Sequence, residues 1–204
     1  MNHFVNQNPI DNNYPEKFKR IIFGAGCFWG VEKKFWQLDG VWVTSVGYSG
    51  GNTEHPTYED VCYKDTNHVE VVEVIYDPSI ILLNDLLKVF WECHDPTQGM
   101  RQGNDRGTQY RSVIFCDTQE DIDRSRDSKK IYEEILKEAS YGSITTEIAR
   151  SPKYYLAEEY HQQYLAKNPN GYCGMGGTGC SISCLLYTSP SPRDVEESRM
   201  PSSA

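Results

Sequence analysis

Residues 23–36 read FGAGCFWGVEKKFW. The preceding FKRIIFGAG forms the pattern of a short strand running into a glycine turn. Phe28, Val31, Phe35 and Leu38 then recur at close to helical spacing. The stretch is therefore a strand–turn–helix corner with one cysteine, Cys27, at its apex. A cysteine that only packs needs neither the glycines nor the helix start. A reactive one uses both: a helix N-terminus offers unpaired N–H groups and partial positive charge, which stabilise a thiolate and predict a lowered thiol pKa. The glycines allow close approach to the sulfur, and Phe28 and Trp29 can wall a small aliphatic group. Simple packing is the competing reading, since free cysteine is often buried.

Outward from this corner, GVWVTSVGYSGG (40–51) and NHVEVVEVIYDPS (67–79) read as strands closed by turn residues. NDLLKVFWECH (84–94) reads as a helix capped by Asn84, with Leu86, Leu87, Phe90 and Trp91 inward. QYRSVIFCD (109–117) is a further strand. The order strand, helix, strand, strand, helix, strand predicts an α+β fold: a mixed sheet with helices packed on it, around a ferredoxin-like, split β-α-β core. A charged helix follows over 121–139, with Ile131, Ile135 and Leu136 inward. SITTEIA (143–149) is a brief strand, and YYLAEEYHQQYLAKN (154–168) a last helix. GYCGMGGTGC (171–180) is too glycine-rich for regular structure and is expected to be mobile.

Residues 1–17 are polar and Asn-rich and are expected as a flexible arm, with the folded unit over 18–180. Residues 181–204 are Ser/Pro-rich, lack periodicity and resemble translated read-through. They are expected to be disordered, and with the tail they form a long irregular C-terminal segment.

The chain has 204 residues, 38% hydrophobic and 12% aromatic, enough for one domain with a real core. A net charge of -9 argues against a nucleic-acid surface. Mean hydropathy of -0.62, with no long apolar run, predicts no membrane span. The seven cysteines are irregularly spaced and no secretory signal is evident. Intracellular thiols are therefore the default, with a cytoplasmic location expected and a mitochondrial address left open.

The blocks GAGCFWGVE, GYSGG, PTYEDVC, HVEVVEVIYDP, FWECHDPTQGMRQGNDRGTQYRSVIF and YHQQYLAKNPNGYCGMGGTG occur in this order. Together, from Phe18 to Gly179, they resemble the A-type peptide methionine sulfoxide reductases. The resemblance implies reduction of the S epimer of methionine sulfoxide, free or in proteins, as repair after oxidative damage. It implies Cys27 as nucleophile and Glu70 as the carboxyl that protonates the sulfoxide oxygen. It further implies Tyr58 and Tyr110 as phenols holding that oxygen, Phe28 and Trp29 as methyl-pocket walls, and Asp105 near the substrate backbone. Cys173 matches the first recycling cysteine, forming a disulfide with Cys27. The family commonly places one or two residues between Gly-Thr-Gly and its last cysteine. Here Cys180 follows directly, and it is taken as the second recycling residue, with Cys184 beyond it. No bound cofactor or metal is expected; reduced thioredoxin is the implied electron donor, and a monomer is expected.

Residue chemistry accords with these roles. A sulfoxide oxygen leaves poorly until protonated, and burial raises a carboxyl pKa. Taken alone, Glu70 reads first as a solvated edge carboxylate, since Glu is mostly exposed; both parities of its strand are largely apolar, so periodicity does not settle which side is covered. The 14 tyrosines are mostly packing residues, and Asp105 within QGNDRG suits a turn. Cys62, Cys93 and Cys116 read as inert packing, and His68, His94 and His161 as structural. Two other functions fit parts of the pattern: a cysteine hydrolase with His161 as base, and a metal-binding module built on Cys173, Cys180, Cys184 and His161. The spacing of the last lacks the paired form usual for structural zinc.

Overall fold

The β-branched run over residues 69–76 explains how the chain is layered. In the computed structural model, which describes residues 1–10 and 14–182, all of β3 (Val69–Tyr76) is buried. Its two faces join different clusters. Val72, Val74 and Tyr76 pack with Ile21, Phe23 and Ala25 of β1 (Lys19–Ala25) beneath the helices. Val69 and Val71 pack with Ile22, Val113 and Phe115 on the other side. A strand covered on both faces has no polar alternation, which is why periodicity leaves its inward side undecided.

β3 lies between β1 and β2 (Val41–Ser49), antiparallel to both. β1 pairs antiparallel on its other edge with β6 (Ser112–Cys116). Two short strands, β7 (Glu147–Arg150) and β8 (Tyr154–Leu156), complete a six-stranded sheet of order β7-β6-β1-β3-β2-β8. Among the described residues only β7 runs parallel to its neighbour, which makes the sheet mixed. A separate two-stranded ribbon joins β4 (Arg101–Gln102) to β5 (Asp105–Arg106).

Helices α1 (Phe28–Trp36) and α3 (Leu83–Cys93) cover one face. Phe23 is sandwiched between Phe35 of α1 at 4.8 Å and Phe90 of α3 at 5.1 Å between ring centroids. Each such buried ring contributes about 1.5–3 kcal/mol. The long α4 (Gln119–Glu138) buries Ile122, Tyr132 and Leu136, and Thr118 caps its N-terminus through the Asp121 N–H. A one-turn α2 (Tyr58–Tyr63), absent from the sequence reading, is nucleated by a reciprocal capping box between Thr57 and Asp60.

Three expectations are corrected. Residues 154–168 are not one helix: Tyr154–Leu156 pair with β2, and only α5 (Tyr164–Lys167) is helical. Gln163, with φ 48°, is left-handed, and the Gln162 side chain is spent on Val46 and Ala157 backbone groups, so the helix cannot propagate upstream. Asn84 sits inside α3 rather than at its cap, and the Asp85 carboxylate accepts the Leu82 N–H at 3.0 Å instead. Residues 1–10 are folded against the sheet rather than loose. His3 is fully buried on Thr44, and Asn6 and Asn8 donate to the Trp42 carbonyl. Residues 172–178 carry no regular structure. Cys184 and the remainder of 183–204 lie outside the described residues.

Candidate active site

The corner at Cys27 begins with Gly26, whose φ of 93° favours glycine and whose Cβ would lie 2.8 Å from Gln102. Cys27 occupies the N-cap of α1 but makes no side-chain capping bond. Glu70, reaching across from β3, accepts the Phe28 N–H at 3.1 Å, so the helix end is capped by a residue remote in sequence. Glu70 is 2% exposed. Burial pushes its carboxyl up to about 8, against the opposing pull of the Phe28 N–H. Desolvation thus outweighs the helix dipole at this carboxylate.

The same balance overturns the expected lowering at Cys27. Burial first, and the Glu70 carboxylate second, push its thiol above the ordinary range; the Trp29 N–H acts the other way without prevailing. The sulfur and the carboxyl therefore both hold their protons at neutral pH.

A pocket of about 130 Å³ opens at this point, lined by Cys27, Phe28, Trp29, Tyr58, Glu70, Asp105, Tyr110 and Tyr172. Elements remote in sequence supply it: the start of α1, the first residue of α2, β3, β5 and the 3-10 turn Thr108–Tyr110. Burial raises the phenols of Tyr58 and Tyr110 above their usual range, so both remain hydrogen-bond donors. Cys62, within α2, is half-buried and does not line the pocket, and burial pushes its thiol up. Cys93 and Cys116 are buried. His68 and His94 are spent on structural hydrogen bonds, to Gly51 and Thr53 and to Phe90 and Ser112. The arrangement offers one sulfur, one protonated carboxyl and two phenol donors around a small space with an aromatic wall.

That wall is held by His161, in the structural role the sequence suggests, and by residues the motif reading missed. The Trp29 indole N–H donates to His161 Nδ1 at 3.1 Å, and its ring stacks on Tyr164 at 3.9 Å. His161 Nδ1 is thereby occupied by Trp29 and cannot act as a base toward Cys27. Between those two contacts, Gln163 is fixed by Glu32: its backbone N–H and side-chain amide donate to the Glu32 carboxylate at 2.9 and 2.7 Å. Thr44 adds a third donor at 3.0 Å. Glu32 was legible as buried, because it lies in helical phase with Phe28, Val31 and Phe35. Glu158 accepts from the Tyr48 hydroxyl and from the Tyr58 backbone, which fixes the start of α2. Tyr172, adjacent to Cys173 in sequence, donates to Asp105 Oδ2 at 3.2 Å and brings the glycine-rich tail to the pocket rim.

Cys173 is exposed and Cys180 half-buried. A Cβ on Gly30, in the first turn of α1, would lie 3.2 Å from the Cys173 sulfur, which puts the tail thiol beside the helix that follows Cys27. Cys180 is farther along, where its carbonyl accepts from Tyr132 at 3.3 Å. Among the described residues no three His, Cys, Asp or Glu side chains converge as a metal-ligand set, and no helix is long and apolar enough to cross a membrane.

Comparison with known proteins gives a consistent result. The family model for peptide methionine sulfoxide reductase matches residues 19–180. A relative from Saccharophagus degradans, peptide methionine sulfoxide reductase MsrA, is 56% identical over 182 residues, covering 89% of this chain and 85% of its own. The solved methionine sulfoxide reductase A of Corynebacterium diphtheriae superposes with a TM-score of 0.79 at 45% identity, covering 84% of this chain and 83% of that one. Mxr1 from Saccharomyces cerevisiae in reduced form gives 0.71 at 39% identity, covering 78% and 91%. Mxr1 in complex with Trx2 gives 0.51 at 27%, covering 76% and 90%. By the span of the family match and the identity to its members, this chain belongs to the peptide methionine sulfoxide reductase family.

Proposed function

We propose that the chain reduces methionine S-sulfoxide, in proteins and free, to methionine, with Cys27 as nucleophile. The observation that carries this reading is the convergence of Cys27, Glu70, Tyr58, Tyr110, Phe28, Trp29 and Asp105 on one pocket in a chain of this family. The substrate methyl group fits against Phe28 and Trp29, and the sulfoxide oxygen toward the two phenols and Glu70. Glu70, raised to about 8, still carries its proton at neutral pH and serves as general acid on that oxygen. Asp105 is assigned to the substrate backbone.

The Cys27 thiol and the sulfoxide give a Cys27 sulfenic acid and the free thioether, so sulfur is reduced in one and oxidised in the other. The Cys173 thiol then attacks the sulfenic sulfur, forming the Cys27–Cys173 disulfide and releasing water. Exchange with an external dithiol restores both thiols. A thioredoxin-type protein suits that role, in keeping with the solved complex of Mxr1 with Trx2. Cys180 relays the disulfide outward. The catalytic unit is assigned to 18–180 together with the next two residues, which do not fit the expected disorder of 181–204: Ser181 and Ile182 donate to Glu92, and Ile182 is fully buried in the main core.

The test supplies each sulfoxide epimer separately, with thioredoxin, its reductase and NADPH. NADPH consumption with the S epimer only, abolished in Cys27→Ser, is the expected result. Equal turnover of both epimers, or persistence of turnover without Cys27, overturns the assignment.

A further inference from the structure

The tail reaches α1 through two sulfurs, and the recycling scheme uses one. Gly30 leaves a notch in the first turn of α1, and the Met175 side chain fills it so closely that a Cβ on Gly30 would overlap the Met175 side chain. Met175 packs on the main core cluster while remaining partly exposed. It lies two residues beyond Cys173, whose sulfur stands at the same notch. The tail is otherwise tethered at its ends, by Tyr172 on Asp105 before the notch and by Thr178 on Tyr132 after it. Between these ties only Met175 inserts a side chain into the helix surface beside Cys173, in a run whose other members are glycine.

We propose that Met175 is a positioning residue that seats the recycling tail on Gly30, and that its thioether makes this seat a site of oxidative modification that controls recycling. The proposal rests on Cys27–Cys173 recycling as given above. Peroxide transfers one oxygen to the Met175 sulfur and leaves as water; the sulfur loses two electrons and the peroxide gains them. An apolar, flexible side chain becomes a polar one, which no longer suits an apolar notch. The seat loosens, Cys173 spends less time beside Cys27, and disulfide formation slows while the first reduction at Cys27 proceeds. The S-sulfoxide at residue 175 is itself in the substrate class of the enzyme, so a second, reduced molecule reverses it. Recycling is thereby throttled under peroxide and restored when reductant returns.

The test compares Met175→Leu, which keeps an apolar seat and cannot take oxygen, with Met175→Gln, which imitates the polar oxidised form. Methionine released in a single turnover without reductant measures the first step; acid-quenched mass spectrometry of the Cys27–Cys173 disulfide measures the second. Met175→Gln is expected to leave the first step within twofold of the parent and slow the second about tenfold or more, with Met175→Leu matching the parent in both. Equal disulfide rates in Gln and parent, or a Leu variant as slow as Gln, overturns the seat. In Cys27→Ser, peroxide is expected to oxidise the tail peptide, and parent enzyme with dithiothreitol to remove the S-sulfoxide. Absence of oxygen on that peptide at doses that oxidise the exposed Met100 overturns the modification. If the parent releases no methionine at all, the failure belongs to the proposed function and not to the seat.

Discussion

The pocket and the tail bring sulfur to the same helix end by opposite means. At the pocket, Cys27 and Glu70 are set by regular elements, α1 and β3, each packed into the main core. Along the tail, residues 172–178 have no regular structure and are located by a few side-chain contacts. The contrast suits the roles proposed for each sulfur. Proton transfer to a substrate oxygen needs a carboxyl at hydrogen-bond range in a dry site. Disulfide exchange needs a thiol that can arrive, react and leave, which a glycine-rich segment permits.

Three experiments bear on that contrast. The largest effect is expected at the rigid side: Glu70→Gln should lower kcat by about 10²- to 10⁴-fold, the usual worth of a general acid. The parent rate should fall above pH 8, as Glu70 loses the proton it holds up to about that point. Alkylation of Cys27 should move to lower pH in Glu70→Gln, because the neighbouring carboxylate that holds the thiol up is gone. Unchanged alkylation would dissociate the two groups and break the picture of a coupled pocket. Stability gives an independent reading. The folded Glu70 holds its proton up to about 8 against an ordinary value of 4.5. Its contribution is therefore full below about 4.5 and lost as pH rises toward 8. The melting temperature of Glu70→Gln relative to the parent should accordingly climb across that window.

An intermediate effect is expected at the tail. Cys173→Ser should release methionine once at the parent rate and then stall, with thioredoxin-driven turnover down roughly tenfold or more. Undiminished thioredoxin turnover would place the resolving thiol elsewhere. The smallest effect belongs to Cys180→Ser, expected to slow thioredoxin-driven turnover only a few-fold while sparing formation of the first disulfide. A Cys180 variant that blocks that first disulfide would reverse the assignment of the two tail cysteines.

How far the sequence carried varies along the chain for physical reasons. The strand–turn–helix corner at Cys27 was plain, because glycine, periodicity and aromatic bulk agree there. The inward direction of Glu70 was not, because both faces of β3 are covered. Residues 154–168 misled, because their helix-forming composition yields to tertiary bonds: Gln162 and Gln163 are buried and bound to β2 and Glu32, and Gln163 turns left-handed. The sign of the Cys27 shift failed because a helix terminus is visible in sequence and the desolvation of a pocket is not.

The opening decapeptide adds to the folded unit outside residues 19–180, the span the family model matches. His3 bonds to Thr44, and the Phe4 N–H donates to the Gln163 side chain at 3.0 Å, closing the outer side of the polar cluster around Glu32. A truncated enzyme starting at Lys19 would retain every pocket-lining residue yet open that cluster to water. Its indole wall would lose rigidity, and weaker substrate affinity at near-normal chemical rate would be the signature.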